Sequence, residues 1–337
     1  MGVKDSTKLS VDASFKTPQS CRDFFKTKSR SRLTTTEDVN YVRYLVWNCD
    51  GTSLLSGSDK FVSTFSFDNS SKVRFRSNLV GHDDNVDGVA AAKTNPSLFA
   101  SCSADKTIRT WDMRSTKYAS KITTKDANLY LSYTPDDNYI IFADKGDSVG
   151  LLDLRASQVL DTVAFKEETN EIVVHPNGKY AFVGMSGGKV DIISLPNLTH
   201  VKTIKAHPFL SSCQSLSLSP DQKYLAVGAS DACCSIWDLE EMVCVRTLQR
   251  MDYPVRSVSY SHCGNLLATG SEDHFIDVSW ASTGEKCLDV SLPTECYCVA
   301  WHPRFYLLAF AHAPDRDLRD HRGNVTTGIK VFGYPSS

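Results

Sequence analysis

The residues best suited to chemistry in this sequence are a histidine, a serine and an aspartate within one short stretch. His82 is followed by Ser101 and Asp105, the three residue types of a hydrolase triad, in which histidine takes the proton of an attacking serine. That hypothesis requires a reactive hydroxyl in an open cleft, and no sequence feature places Ser101 in one. A buried imidazole and carboxylate are also stable when they hydrogen-bond to each other, and we favour this structural interpretation.

Eleven cysteines could in principle ligate a metal or form disulfides. Their number is odd, no CxxC pair occurs, and most lie inside apolar runs, so no four ligands have a zinc-binding spacing. We predict small buried thiols in a reducing compartment, with no metal or other cofactor. The glycine-rich stretch Gly184–Val190 does not fit a phosphate loop, because Val190 follows Lys189 where Ser or Thr is required.

Composition argues against several classes of function. The chain has 337 residues, of which 41% are hydrophobic and 23% charged, and its net charge is -2 at pH 7. These values are ordinary for a globular protein with a large core and do not indicate a general nucleic-acid binder. No apolar run is long enough to span a membrane and the N-terminus is too polar for a signal peptide, so we expect no membrane association. Gly2 fits the myristoylation pattern, a match that we attribute to chance.

An internal repeat indicates the architecture. Equivalent turns recur at spacings of 44, 42, 41, 44, 42 and 41 residues, counted between Cys49, Lys93, Pro135, Pro176, Pro220, His262 and Pro303. Each unit contains four short alternating segments, and this length matches one four-stranded propeller blade. We predict an all-β, seven-bladed propeller over residues 21–337, with blades near 39–82, 83–125, 126–167, 168–209, 210–252, 253–294 and 295–333.

The seventh unit is incomplete, because only residues 335–337 follow its third strand. An unpaired outer edge would be open to fraying, so another segment must complete the blade. We predict that Cys21–Lys28 supplies this closing strand and that residues 1–20 are a flexible tail. The basic stretch Lys26–Arg32 could contact RNA, although a solvated loop is the simpler interpretation.

Trp-Asp pairs end the third strand of two units, at Trp111-Asp112 and Trp237-Asp238. With Gly81-His82 before its first strand and Asp105 between its second and third, the second unit resembles a WD repeat. The resemblance implies a structural hydrogen-bond tetrad of His82, Ser101, Asp105 and Trp111. We expect the complete set only in this unit, with Ala206-His207 a near match before the fifth.

From about residue 41 to 332 the chain also resembles the WD-repeat subunits of the THO complex. The similarity is carried by Gly81–Lys117, by Trp237–Val278, and by the closing stretches VAWHPRFYLLAFA and GIKVFGYP. It implies a non-catalytic scaffold of the nuclear TREX assembly, which couples transcription to mRNA export. The implied neighbours are large helical THO subunits, a DEAD-box RNA helicase and an mRNA-export adaptor, with RNA contacted indirectly.

Two other classes of function remain open. An adaptor of another nuclear complex (a histone methyltransferase, 3′-end processing or a ubiquitin ligase) should carry its own blade signature or a helix-box extension, and neither is visible. An enzyme using the central channel would need acids, histidines or metal ligands from several first strands, which offer few charges. We therefore predict that the protein is not an enzyme.

A candidate partner surface lies in the sixth and seventh units. The link Arg250–Ser257 is rich in the residue types found at interface hot spots. The insertion Ala313–Thr327 should lie on the same rim, because links between blades and turns between second and third strands open on one face. The candidate partner-binding residues are Arg250, Asp252, Tyr253, Arg256, His274 and Arg316. The alternative is that Tyr253 and Arg256 simply pack between blades.

Overall fold

A computed structural model describes residues 15–28, 32–34, 42–67, 73–313 and 328–333. Within these ranges the chain forms one helix, α1 (Pro18–Lys28), and seven antiparallel four-stranded sheets. The prediction of an all-β, seven-bladed propeller is confirmed.

Each sheet is one blade of the propeller. The first six contain four consecutive strands each. The first blade comprises β2 (Val42–Trp47), β3 (Ser53–Ser58), β4 (Phe61–Phe67) and β5 (Val73–Val80). The second comprises β6 (Val86–Ala91), β7 (Leu98–Ser103), β8 (Thr107–Asp112) and β9 (Tyr118–Thr123). The third comprises β10 (Asn128–Tyr133), β11 (Tyr139–Asp144), β12 (Ser148–Asp153) and β13 (Gln158–Ala164). The fourth comprises β14 (Thr169–Val174), β15 (Tyr180–Met185), β16 (Lys189–Ser194) and β17 (His200–Lys205). The fifth comprises β18 (Cys213–Leu218), β19 (Tyr224–Ala229), β20 (Cys234–Asp238) and β21 (Val243–Leu248). The sixth comprises β22 (Val255–Tyr260), β23 (Leu266–Ser271), β24 (Phe275–Trp280) and β25 (Lys286–Ser291). The seventh joins β1 (Arg32–Thr34) to β26 (Cys296–Trp301), β27 (Leu308–His312) and β28 (Ile329–Phe332).

The burial of the strands follows from the ring arrangement. The first strands of the blades pack against one another around the axis, from β2 through to β26 and back to β2. Second strands such as β3 and β23 are buried at every position, because neighbouring blades cover both of their faces. The fourth strands, such as β13 and β21, form the outer rim and are largely exposed.

Serines on the first strands connect neighbouring blades. Their hydroxyl oxygens accept hydrogen bonds from backbone N–H groups on the first strand of the following blade. These N–H groups have no partner within their own sheet. The pairs are Ser215 with Val258, Ser217 with Tyr260, Ser257 with Val299 and Ser259 with Trp301, at 3.0 or 3.1 Å. This explains why serine alternates with apolar residues along β18 and β22.

The ring is closed by an N-terminal strand, but the predicted residues are wrong. Strand β1 pairs antiparallel with β28, with Arg32 opposite Phe332 and Thr34 opposite Lys330. The whole of the predicted strand, Cys21–Lys28, instead belongs to α1. The basic stretch Lys26–Arg32 is therefore divided between a helix and a strand, and its residues 29–31 lie outside the described ranges.

Helical spacing explains this difference. Pro18 occupies a position that tolerates proline at a helix start, and the Thr17 hydroxyl accepts the Ser20 N–H at 3.2 Å. Cys21 and Phe25, four residues apart, are 0% and 2% exposed, so they lie on one face of α1. A strand would have placed the adjacent Phe24 and Phe25 on opposite faces, whereas both pack into one cluster.

The folded part of the chain begins before residue 21, contrary to the predicted tail. Phe15 is 7% exposed, and its ring centroid lies 4.1 Å from that of Tyr306. Its backbone oxygen accepts a hydrogen bond from the side-chain amide of Asn265. The predicted tail is described only from residue 15 onward.

Candidate functional site

The four residues of the proposed tetrad form one hydrogen-bonded chain in the second blade. His82 Nδ1 lies 2.9 Å from Asp105 Oδ2, and His82 Nε2 lies 2.7 Å from Ser101 Oγ. Trp111 Nε1 donates to Ser101 Oγ at 2.8 Å. The Thr107 hydroxyl adds a bond to Asp105 Oδ1 at 2.7 Å. This series of hydrogen bonds thus connects β7, β8 and the link that precedes β6.

The turn between β7 and β8 aims the carboxylate at the histidine. Asp105 donates its N–H to Ser103 Oγ at 3.0 Å, which fixes the start of the turn. Lys106 then adopts a left-handed φ of 61°, so that the chain reverses within a few residues. This tight reversal holds Asp105 beside the His82 ring.

The protonation states follow from burial and hydrogen bonding. Burial opposes ionisation of Asp105, but hydrogen bonds from Thr107, the Asp83 N–H and His82 outweigh it and lower its pKa to about 2. Burial lowers the pKa of His82, so its imidazole is neutral near pH 7. Because an ionised carboxylate only accepts, His82 Nδ1 carries the proton and Nε2 accepts the Ser101 hydroxyl.

This order of donors is also that of a hydrolase triad, but the serine is inaccessible. Ser101 is 0% exposed, and its oxygen already accepts the Trp111 indole N–H. A substrate has no path to this hydroxyl in the structure. The arrangement acts as a buried brace across the blade.

Replacing Asp105 by alanine is expected to lower the free energy of unfolding by about 1–3 kcal/mol. His82, Thr107 and the Asp83 N–H would each lose a buried acceptor. Urea denaturation compares this variant with Asp161→Ala, which removes an exposed carboxylate that caps only the next N–H. Equal stability of the two variants would show that the network does not contribute.

A second brace lies in the fifth blade. His207 Nδ1 is 2.9 Å from Asp231 Oδ2, and His207 Nε2 is 2.9 Å from Ser235 Oγ. Trp237 Nε1 donates to the same Ser235 oxygen at 2.9 Å. The expectation that only the second blade carries a complete set is therefore wrong.

The hydroxyl in the fifth blade comes from a different strand. In the second blade Ser101 of β7 lies opposite Arg109 of β8. In the fifth, Val227 of β19 lies opposite Ser235 of β20, so the serine has changed sides of the same cross-strand pair. The sequence feature that could have revealed this brace is a serine two residues before the Trp237-Asp238 pair, whereas the WD-repeat pattern places the hydroxyl on the second strand.

The sixth blade replaces the brace with a buried ion pair. Arg250 Nε and Nη2 donate to the two carboxylate oxygens of Asp277 at 2.8 and 2.7 Å, and Nη1 donates to the Gly284 carbonyl at 3.0 Å. Arg250 also donates to the Ser279 hydroxyl. The Asp277 side chain is 3% exposed. The sequence predicts Arg250 as a partner-binding residue, whereas in the structure its guanidinium is paired with the sixth blade.

The remaining predicted partner residues fall into three cases. Arg256 belongs to β22 rather than to a link; it pairs with Glu272 and donates to Gln214 Oε1 at 3.1 Å near the channel. Exposed positions in the link and in the neighbouring turn are occupied by Asp252, Tyr253 and His274. Arg316 and most of the predicted insertion lie outside the described residues.

Two apolar side chains that the sequence analysis did not single out project from the link between β17 and β18. Phe209 is 73% exposed and Leu210 is 94% exposed. The link is held at both ends, because His207 is buried in its brace and the Ser212 N–H donates to the Ser230 hydroxyl at 2.8 Å. Large apolar side chains on a well-anchored link are typical of a binding surface.

Tyr253, which is 56% exposed, lies in the next link, between β21 and β22. Both links lead into the same end of adjacent first strands, so they open on the same face of the ring. We call Phe209, Leu210 and Tyr253 the apolar rim.

Seven of the eleven cysteines are buried, three are partly buried and Cys244 is exposed. All eleven are free. Burial raises the pKa of Cys213 and Cys298 to about 12, which keeps both protonated and unreactive at neutral pH. In the ranges that the structure describes, no three His, Cys, Asp or Glu side chains are grouped as metal ligands would be. The one helix in those ranges is too short and polar to cross a membrane.

Comparison with known proteins agrees with the geometry. The family model described as "WD domain, G-beta repeat" matches residues 73–112, 198–238 and 242–278. Together with seven four-stranded sheets and two histidine-centred braces, these matches define the class of the molecule as a WD-repeat β-propeller.

Three relatives illustrate how similarity is distributed. "THO complex subunit 3" of Arabidopsis thaliana is 31% identical over 299 residues, which cover 88% of this chain and 93% of the relative. "WD repeat-containing protein AAC3" of Dictyostelium discoideum is 29% identical, covering 98% of this chain and 70% of the relative. "Striatin-4" of Homo sapiens is 28% identical, covering 58% of this chain and 28% of the relative. The chain belongs to the family of THO complex subunit 3.

Proposed function

We propose that the protein is a non-catalytic scaffold subunit of a THO complex, acting in the nucleus to couple transcription to mRNP assembly and mRNA export. The observation that carries this proposal is the similarity to a THO subunit over nearly the full length of both chains. The residues that most resemble a hydrolase triad, His82, Ser101 and Asp105, are buried inside the second blade. This supports a binding role rather than a catalytic one. Its neighbours would be large helical THO subunits, with a DEAD-box RNA helicase and an mRNA-export adaptor nearby and RNA contacted indirectly.

The apolar rim is the proposed docking surface for a helical THO subunit. Tyr253 is the one member that the apolar rim shares with the surface predicted from the sequence. Phe209 and Leu210 take the place of Arg250 and Arg256, which form ion pairs within the propeller. Because these side chains project outward, they fit a concave partner, such as the apolar groove between two packed helices. Burying each of them would contribute about 1.5–3 kcal/mol to association.

Joint replacement Phe209→Ser and Leu210→Ser is expected to reduce co-purification of the THO subunits at least tenfold. The matched control is Leu160→Ser with Val201→Ser, two side chains on outer strands that are 47% and 51% exposed. Tagged full-length protein is recovered from nuclear extract with and without nuclease, and bound subunits are quantified by mass spectrometry.

The possible results distinguish a failure of the proposed function from a failure of the proposed docking surface. Absence of THO subunits with the unaltered protein would contradict the proposed function. Their equal recovery with the folded Phe209→Ser, Leu210→Ser variant would contradict the apolar rim alone. Loss of the subunits after nuclease treatment would show that RNA, rather than a protein contact, holds the chain in the complex.

A further inference from the structure

The central channel contains a buried carboxylate without a cationic partner. Glu171, on β14, is 9% exposed and lines a cavity of about 570 Å³ enclosed by the first strands of the blades. Its Oε1 accepts the Tyr44 hydroxyl at 3.2 Å, and its Oε2 accepts the Leu216 N–H at 2.6 Å. Among the residues that the structure describes, no lysine, arginine or histidine forms an ion pair with this carboxylate.

The arginines of the channel are engaged with other acids. Arg43 Nη1 lies 3.1 Å from Asp87 Oδ1, and Arg256 pairs with Glu272. Burial consequently raises the pKa of Glu171 to about 7, although the hydrogen bonds from Tyr44 and Leu216 favour its ionised form. By contrast, the similarly buried Asp277 of the sixth blade has an arginine of its own, Arg250.

We propose that the channel binds an organic cation of side-chain size, an alkylammonium or guanidinium group, against the Glu171 carboxylate. A carboxylate has about four acceptor positions, and the protein fills two of them, through the Tyr44 hydroxyl and the Leu216 N–H. One charged N–H donor can therefore be added. The aromatic side chains of Tyr44 and Tyr130 line the same cavity and offer a surface suited to a cation. The cation can be a lysine or arginine side chain of a partner protein or a free small molecule.

Binding should be coupled to loss of a proton. Near pH 7 a large fraction of Glu171 is protonated, and only the ionised form attracts a cation. The groups that face it are Tyr44, Tyr130 and Ser215, and Arg43 and Arg256, each paired with an acid, line the same cavity. Burial raises the pKa values of Tyr44 and Tyr130, so neither tyrosine ionises in this range. A released proton would come from Glu171.

The experiment is calorimetric titration of the full-length protein with butylammonium or ethylguanidinium chloride at pH 7, with sodium chloride as the reference. We expect saturable binding in the millimolar range, typical of so small a ligand. The binding heat should depend on the ionisation enthalpy of the buffer, as proton release requires. Titration with N-acetyl-lysine amide and N-acetyl-arginine amide separates the two sources, because tighter binding of these than of the free cations indicates a protein side chain.

Two substitutions make the result specific. Glu171→Gln retains an oxygen that can accept the Leu216 N–H but loses the charge, and it is expected to weaken binding at least tenfold. Glu168→Gln removes an exposed carboxylate in the link before β14 and should leave binding unchanged. Equal binding by folded Glu171→Gln and unaltered protein, or no saturable binding by the unaltered protein, would overturn the proposal.

Discussion

Arg250→Ala is expected to lower the free energy of unfolding by about 3–5 kcal/mol, because it leaves the buried Asp277 without its counter-charge. The Asp277 side chain is 3% exposed and receives two hydrogen bonds from the guanidinium. Only Ser279 would remain as a side-chain donor to it. The variant is measured by urea denaturation at neutral pH.

Two further variants separate loss of the ion pair from loss of an arginine. Arg246→Ala removes an exposed arginine whose hydrogen bonds reach only backbone carbonyls, and it should change stability by less than about 0.5 kcal/mol. Arg250→Ala combined with Asp277→Ala removes both charges and should be more stable than Arg250→Ala alone. If the double variant were the less stable one, an unpaired buried charge would not be the cause of the loss.

Glu171→Gln is expected to stabilise the protein at pH 8 by about 3 kcal/mol relative to its effect at pH 4.5. The pKa of Glu171 rises from its ordinary value of 4.5 in the unfolded chain to about 7 in the folded one, because of burial. Below 4.5 both states hold the proton, and the carboxyl group carries no penalty. As the pH rises from 4.5 through 7 the unfolded state ionises first, so stability is lost progressively and the loss is complete above 7.

The measurement is urea denaturation of the unaltered protein, Glu171→Gln and Glu168→Gln from pH 4.5 to 8. The difference in stability between Glu171→Gln and the unaltered protein should grow with pH, whereas the exposed Glu168 should give a nearly constant difference. Parallel pH profiles for all three proteins would show that Glu171 ionises as readily in the folded as in the unfolded chain.

Contacts within one blade were largely predictable from the sequence. The repeat period, the alternation of apolar residues and the Trp-Asp pairs recur at similar spacing, because every blade solves the same packing problem between two neighbours. The resemblance of the second unit to a WD repeat implied His82, Ser101, Asp105 and Trp111 as a group. It missed Ser235 because a hydroxyl can reach the histidine from either member of a cross-strand pair.

The closing segment was predictable in kind but not in position. The sequence shows that the seventh blade lacks a strand, yet Cys21–Lys28 and Arg32–Thr34 are both short segments near the N-terminus. Their roles are decided by the rest of the molecule. Helix α1 is stabilised by aromatic residues such as Tyr306 and Phe332, and β1 by the free edge of β28.

Contacts between blades were decided by the tertiary structure. Tyr44 and Glu171 are 127 residues apart and meet only because the closed ring brings the first strands of distant blades to one channel. Arginine is a residue type common in binding surfaces, so the sequence suggested that role for Arg250. Its position beside Asp277 instead makes it part of the blade interior. The sequence by itself therefore determined the number of blades, since this depends on alternation and spacing along the chain, and its resemblance to a WD repeat indicated the brace of the second blade. Which charges are paired, which remain alone in the channel and which side chains project from the rim depend on burial, and burial exists only once the ring has closed.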